Sequence, residues 1–490
     1  MVPVDRPVAP PVEPERASGG DRPRWPLSLR DRARRPRLRQ LARYGGPCSR
    51  LHDLPLRQDR QPPARDRDGG KGCRPRSPAV RCAARHGGRA RRYPRRPRAR
   101  LCASLCCTLY EPVERPVRAQ DYLDRAQAQT GLRDFGADGW QEGLERLIAA
   151  LDKQPLHAEG IARVEARLIA TLAARLRIED WIARHPAYGE GDIDGPVVII
   201  GLPRTATTAL LNLLANDASW RFVRSWEAGE PVPPPDIATE ATDPRAAAER
   251  AFIAADTTFR GQHIHQAGGP VDDAALLRLS FRNQELGWPV WDYTRWWRDC
   301  DMAGTYAYHA RTLKLLQHRR PPNRWLIKAP WHNFHLDALV ATYPNARFIM
   351  THRDPVKTIP SVASLLETSY ATVMPKEAID REALGREIME HLQISLSRVT
   401  DFRRRFGEDR FLDVRHESFN ADPMGEVNRV YDWLGRSMDA TAEAALADWA
   451  AANRKGARGE HRYTADQFGL SEPELASVFA DYRARFVGTP

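Results

Sequence analysis

Residues Gly201–Thr208 read GLPRTATT, between an apolar run, Val197–Ile200, and an apolar helical stretch, Ala209–Leu214. A buried strand that runs through a tight loop into a helix start makes a phosphate cradle. The first helical amides have no intrahelical partner, and the helix dipole adds partial positive charge there. The spacing is that of the Gly-x4-Gly-Lys-Ser/Thr loop, with two departures: Ala206 replaces the second glycine and Thr207 replaces the lysine. The positive charge sits instead on Arg204. A nucleotide triphosphatase needs that lysine on its terminal phosphates and a metal beside it. An arginine with paired threonines suits a less charged, diphosphate-like group without metal. Gly201, Pro203, Arg204, Thr205, Ala206, Thr207 and Thr208 are therefore candidate anion-binding residues.

A second grip is readable at Thr351–Val356 (THRDPV), with Ser361 following. Asp354 is the expected N-cap and Pro355 the expected first helical residue, so Arg353 projects from a strand–helix junction. A guanidinium and a hydroxyl near a helix start hold a monophosphate well. The rival reading pairs Arg353 with Asp354 or a neighbouring carboxylate. Pro360, inside the expected helix, is a potential kink that bears on the placement of Ser361.

The elements that must position these residues follow from hydrophobic periodicity. Besides the first strand, strands are expected at Trp325–Lys328, Ala346–Thr351 and Arg410–Val414. Helices are expected at Ala246–His263, Asp273–Leu286, Thr305–Gln317, Leu336–Thr342, Val356–Thr368 and Glu382–Phe406. Short apolar strands alternating with helices predict an α/β fold, a P-loop-like three-layer α/β/α arrangement around a central parallel sheet. Ligands in such sheets lie beyond the carboxyl ends of the strands, and the Gly201 loop, Lys328 and Arg353 all fall there. Two or three helices are expected over Asp121–Ala187, where Ile161, Val164, Leu168, Leu172 and Leu176 mark one apolar face.

The net charge of +12 on 490 residues is unevenly spread. Residues 1–100 carry 28 Lys and Arg against 9 Asp and Glu, whereas the rest carry 47 against 54, so the body is mildly acidic. Those hundred residues also hold 16 of the 39 prolines, which leaves no amphipathic period. Such a stretch cannot offset its chain entropy by burial and is expected to be disordered. The break in composition also raises the expectation that this segment is a shifted or upstream reading frame rather than genuine coding sequence. Arginines without interleaved aromatics or lysines do not point to nucleic acid. Six of the seven cysteines fall at or before Cys107 with no zinc spacing, leaving Cys300 alone in the body. No transmembrane-length run or cleavable leader is read, so a cytoplasmic protein is expected. The expected organisation is residues 1–110 as a disordered tail, 111–190 as a helical lead-in packing on the core, and 191–490 as the α/β domain.

Several segments together resemble the sulfotransferase superfamily, and its bacterial-type branch more closely: GLPRTATTALLNLL, WLIKAPWHNFHLDAL, YPNARFIMTHRDPVKTIPSVASL and EHRYTADQFGLS, spanning roughly Pro196 to Leu470. The resemblance implies 3′-phosphoadenosine 5′-phosphosulfate as donor, with no metal. Arg204, Thr205, Thr207, Thr208 and the loop amides would hold its 5′-phosphosulfate, and Arg353 with Ser361 its 3′-phosphate. Ala206 stands where many relatives have glycine, and Ala209 where some stack adenine on a tryptophan; Tyr463 or a tryptophan would then hold the base. Arg454-Lys455-Gly456 is similar to a basic segment that covers the 3′-phosphate in relatives, with a solvated turn as the rival reading. Lys328 would donate to the bridging oxygen as the sulfuryl group leaves. The acceptor's proton would go to His332, with His265 second and Asp273 third, since a histidine titrates near neutrality. Trp288, Trp291 and Trp296 either line an acceptor pocket for a small molecule, lipid or glycan, or fill a core. The competing functions are a P-loop kinase or hydrolase, against which Thr207 and the lack of a metal-holding Asp pair argue, and a non-catalytic nucleotide-binding relative.

Overall fold

The computed structural model describes residues 118–255, 268–320, 324–453 and 463–488. The arginine-rich stretch 1–110, His265 and the segment 454–456 lie outside the described residues.

Three helices open the described chain: α1 (Ala119–Thr130), α2 (Trp140–Leu151) and α3 (Ala158–Arg184). His157 caps α3, its Nδ1 accepting from the Gly160 amide at 2.9 Å. Ile161, Val164, Leu168, Leu172 and Leu176 are all buried, in one apolar cluster with Val198 and Ile200. The periodic face thus packs on the core that also holds the first strand.

Five strands follow: β1 (Val197–Gly201), β2 (Trp220–Arg221), β3 (Arg324–Lys328), β4 (Arg347–His352) and β5 (Phe411–Arg415). They pair in parallel throughout, in the order β2-β3-β1-β4-β5. β1 is fully buried, and its side chains alternate between two clusters. Val198 and Ile200 join Ile327, Phe348 and Met350 on one face, whereas Val197 and Ile199 join Leu326, Ile349 and Val414 on the other. Helices at Pro355–Tyr370 and Arg381–Phe406 contribute to the first cluster; α4 (Thr207–Leu214), Pro423–Leu434 and Ala440–Ala452 contribute to the second. A sheet covered on both faces reads as unbroken apolar runs, as VVII does, and each such side chain contributes about 1.5–3 kcal/mol by leaving water.

After β1 the chain crosses to the edge strand β2, returns to β3 between β2 and β1, then passes to β4 on the other side of β1. This reversal opens a crevice at the carboxyl ends of β3, β1 and β4. The four expected strands lie within one residue of their observed bounds. One expectation needs correction, and one strand is additional to those expected. The helix expected over Asp273–Leu286 is only one turn, Ala274–Leu277, followed by a 3-10 turn to Ser280. Phe281 then adopts a left-handed φ of 49°, and the Tyr293 hydroxyl donates to its carbonyl at 2.8 Å, so the chain turns instead of continuing. The edge strand Trp220–Arg221 has no counterpart among the expected strands: two residues carry no period. Among the described residues, no helix is long and apolar enough to cross a membrane.

Candidate active site

The loop between β1 and α4 is held by close contacts with β4. Gly201 has φ 129°, and a Cβ on it would lie 2.5 Å from the Thr351 carbonyl oxygen, so a side chain cannot fit. The Thr205 hydroxyl donates to the Leu202 carbonyl at 2.6 Å and shares a 2.6 Å hydrogen bond with Thr351 Oγ1. Thr205 is therefore buried and binds the loop to β4, and it is not among the residues that line the cavity described below. Arg204 and Ala206 both take left-handed φ values, 67° and 76°. At Ala206 this conformation explains why a glycine would be at ease there, since a Cβ in left-handed backbone costs roughly 1–2 kcal/mol.

The two grips read from the sequence form one continuous site. Arg353 Nη1 donates to the Arg204 carbonyl at 3.0 Å, and Arg204 Nε donates to Ser361 Oγ at 3.1 Å. Asp354 is not paired with Arg353. It caps the Pro355–Tyr370 helix through the Val356 amide at 3.0 Å and pairs with Arg483 at 3.1 Å. The Nε of Arg353 is buried with no hydrogen-bond partner among the described residues. Burial pushes the Arg204 guanidinium below its usual value; Tyr463 opposes that shift and Arg353 adds to it. Two adjacent, partly desolvated guanidiniums with an unused donor call for an anion. Ser361 is buried behind Arg204, and Tyr463 is half-buried close to it.

Lys328 closes β3 with its side chain almost wholly buried. Its Nζ donates to Thr208 Oγ1 at 3.1 Å and forms an ion pair with Asp272. These groups line a cavity of about 460 Å³. One wall is polar: Arg204, Thr207, Thr208, Lys328, Arg353 and Asp272. The other carries Leu286, Trp331, Val362, Leu365 and Leu366. Val362, Leu365, Leu366 and Ser369 recur at three- and four-residue spacing, so one face of the helix that follows Arg353 supplies much of the apolar wall.

Of the proton acceptors read from the sequence, neither described one lines the cavity. His332 is fully buried in a 3-10 turn, Pro330–Phe334. Its Nδ1 lies 2.8 Å from the Tyr306 hydroxyl and its Nε2 2.9 Å from Asp273 Oδ2. Asp273 is equally buried, with His309 Nε2 also 3.0 Å from Oδ2. Burial alone would push the Asp273 carboxyl up; His332 and His309 more than offset this and hold it far below the usual carboxylate range. His332 and Asp273 thus belong to a closed internal cluster. The tryptophans also divide: Trp288 is buried, with the Arg167 guanidinium 4.8 Å from its ring centroid, while Trp291 and Trp296 line other surface hollows. Trp331 is the tryptophan on the cavity wall. Asp272, His416 and Asn420 line the cavity without having been singled out in the sequence. Asp272 carries no signal that separates it from its neighbour Asp273.

Comparison with known proteins bears on the family and the fold. The Sulfotransferase family matches residues 196–440. The crystal structure of sulfotransferase STF9 from Mycobacterium avium superposes with a TM-score of 0.71 at 30% identity, covering 77% of this chain and 98% of that one. Sulfotransferase STF1 from Mycobacterium tuberculosis H37Rv gives a TM-score of 0.67 at 27% identity, covering 74% and 98%. Among curated proteins, the omega-hydroxy-beta-dihydromenaquinone-9 sulfotransferase Stf3 of Mycobacterium tuberculosis is 26% identical over 110 residues, 22% of this chain and 28% of that protein's length. The match thus spans little more than a quarter of that relative.

Proposed function

This chain belongs to the sulfotransferase family, and from that premise we propose that it moves a sulfuryl group from 3′-phosphoadenosine 5′-phosphosulfate to a hydroxyl on an apolar small molecule or lipid, by in-line displacement. One observation carries the reading: an Arg204–Arg353 pair with an unused buried donor stands in the same cavity as a greasy wall. The guanidiniums and loop amides fit the phosphosulfate and 3′-phosphate of a bisphosphorylated adenosine. Tyr463, beside Arg204, is the candidate for the adenine. The apolar face of Val362, Leu365 and Leu366 suits a hydrocarbon chain rather than a glycan. That Stf3 is named for a hydroxylated menaquinone supports the same acceptor class. Residues 191–490 would form the transfer domain and 111–190 its helical lead-in.

Lys328 would donate to the oxygen that leaves, and such charge-assisted hydrogen bonds are worth roughly 1.5–3 kcal/mol. Preorganised donors of this kind supply much of the acceleration in group transfer. Binding by calorimetry tests the reading. Adenosine 3′,5′-bisphosphate should bind the wild type, and Arg353→Ala should weaken it by about tenfold or more. Arg204→Ala and Lys328→Ala should abolish transfer of labelled sulfate with the fold intact. Tight binding of ATP with Mg²⁺ and none of the bisphosphate would reject the proposal.

A further inference from the structure

We infer that Asp272 is the general base of the transfer, an inference that rests on the sulfotransferase reading above. The reaction needs a group beside the attacking oxygen that can take a proton. The internal cluster cannot supply it: His332 and Asp273 are fully buried, and both His332 ring nitrogens are engaged by Tyr306 and Asp273. Asp272 faces the cavity with its side chain 42% exposed, so it can reach an acceptor and afterwards return its proton to water.

Its position relative to the donor loop is the second argument. Lys328 Nζ stands between Thr208 Oγ1 and Asp272 Oδ1, which links loop hydroxyl, ammonium and carboxylate in series. A sulfuryl group held at Thr208 and Lys328 therefore has Asp272 at its side. The apolar wall that would deliver an acceptor belongs to the same cavity. The other proton acceptor on the wall, His416, begins the helix after β5, three strands across from β3 in the sheet, and its ring meets Asn420.

The backbone under Asp272 is fixed from below. The Asp273 amide donates to the Lys328 carbonyl at 3.3 Å, and the Asp273 carboxylate lies between His332 and His309. The rings of those histidines are held in turn by the hydroxyls of Tyr306 at 2.8 Å and Tyr343 at 2.7 Å. The buried cluster thus sets the spacing of the two groups that face the cavity, Asp272 and Lys328.

In the step itself, a bond forms between the acceptor oxygen and sulfur as the bond from sulfur to the 5′-phosphate oxygen breaks. The electron pair leaves on that phosphate oxygen, which accepts a hydrogen bond from Lys328. The acceptor's proton passes to Asp272. An ammonium has three donors, so Lys328 can serve the leaving oxygen while still touching the carboxylate.

The test uses full-length wild type, Asp272→Asn and Asp272→Glu, with farnesol and a series of phenols ending at 4-nitrophenol as acceptors. Asp272→Asn should lose about 10²–10⁴ in kcat with farnesol. The loss should shrink steadily as the acceptor becomes more acidic, because an acidic hydroxyl needs less help from a base. Asp272→Glu should recover part of the farnesol rate, and bisphosphate affinity should stay within about threefold of wild type in both variants. A loss of equal size across the whole series would overturn the proposal, since it would mean that Asp272 only holds Lys328. Wild-type rates in Asp272→Asn would overturn it as well. A wild-type protein that binds no bisphosphate would overturn the sulfotransferase reading and this inference together.

Discussion

At residue scale, Ala206 shows how a motif departure becomes a backbone fact. The position has φ 76°, in the left-handed region where Cβ is unfavourable. Ala206→Gly removes that strain at the expense of greater freedom in the unfolded chain, roughly 0.5–1 kcal/mol, against a relief of roughly 1–2 kcal/mol. The variant should therefore be more stable by about 0.5–1 kcal/mol in urea unfolding; a less stable variant would show that the methyl group's contacts outweigh the strain. Arg204, Lys328 and Arg353 were legible because charged residues at strand ends stand out from apolar runs. The contrast between Asp272 and Asp273 was not. Which of two adjacent carboxylates turns inward depends on His309, His332 and the two tyrosines, which arrive from elsewhere in the chain.

At the scale of elements, β1, β3, β4 and β5 were readable because each is a buried run bounded by polar residues. The segment after Asp273 was not, because its helical period stops where Asn283, Gln284 and Glu285 are buried by hydrogen bonds. Asn283 takes its amide partner from Tyr293 and Gln284 bonds Thr294, both from the next helix. The far end of the chain also reaches the site. Arg483 pairs with Asp354, the residue after Arg353, and the Tyr482 hydroxyl lies 2.8 Å from His352 Nδ1, the residue before it. Through Asp354, Arg483 is expected to help position Arg353. Arg483→Ala should weaken adenosine 3′,5′-bisphosphate by about threefold to tenfold while changing affinity for adenosine 5′-phosphate little, as expected for a modest hydrogen-bond contribution. Equal weakening of both nucleotides in calorimetry would count against a role at the 3′-phosphate.

At the scale of the molecule, stability should fall on acidification through buried neutral histidines. Burial, with Arg398 adding to it, pushes His335 down to about 3. Burial, with Arg298 and Arg398, also holds His391 well below its usual value. Both groups bind protons more readily when unfolded, where a histidine titrates near ~6.5. Their contribution is thus complete above that value and is lost as the pH falls below it towards 3, at up to about 1.4 kcal/mol per pH unit for each. The melting temperature should drop between pH 7 and pH 5, and His391→Gln, which can still accept from Arg298, should flatten the slope. An unchanged slope would assign the acid sensitivity elsewhere. The three-layer architecture was legible from strand–helix alternation, whereas the sheet order was not, because crossings between strands leave no local pattern.

The adjacency of Arg204 and Arg353 has a practical side. If the pair holds the proposed donor, other oxyanions in solution should compete for the same two cations. Phosphate buffers and ammonium sulfate should then act as competitors, so that turnover measured in them falls below that in a chloride medium.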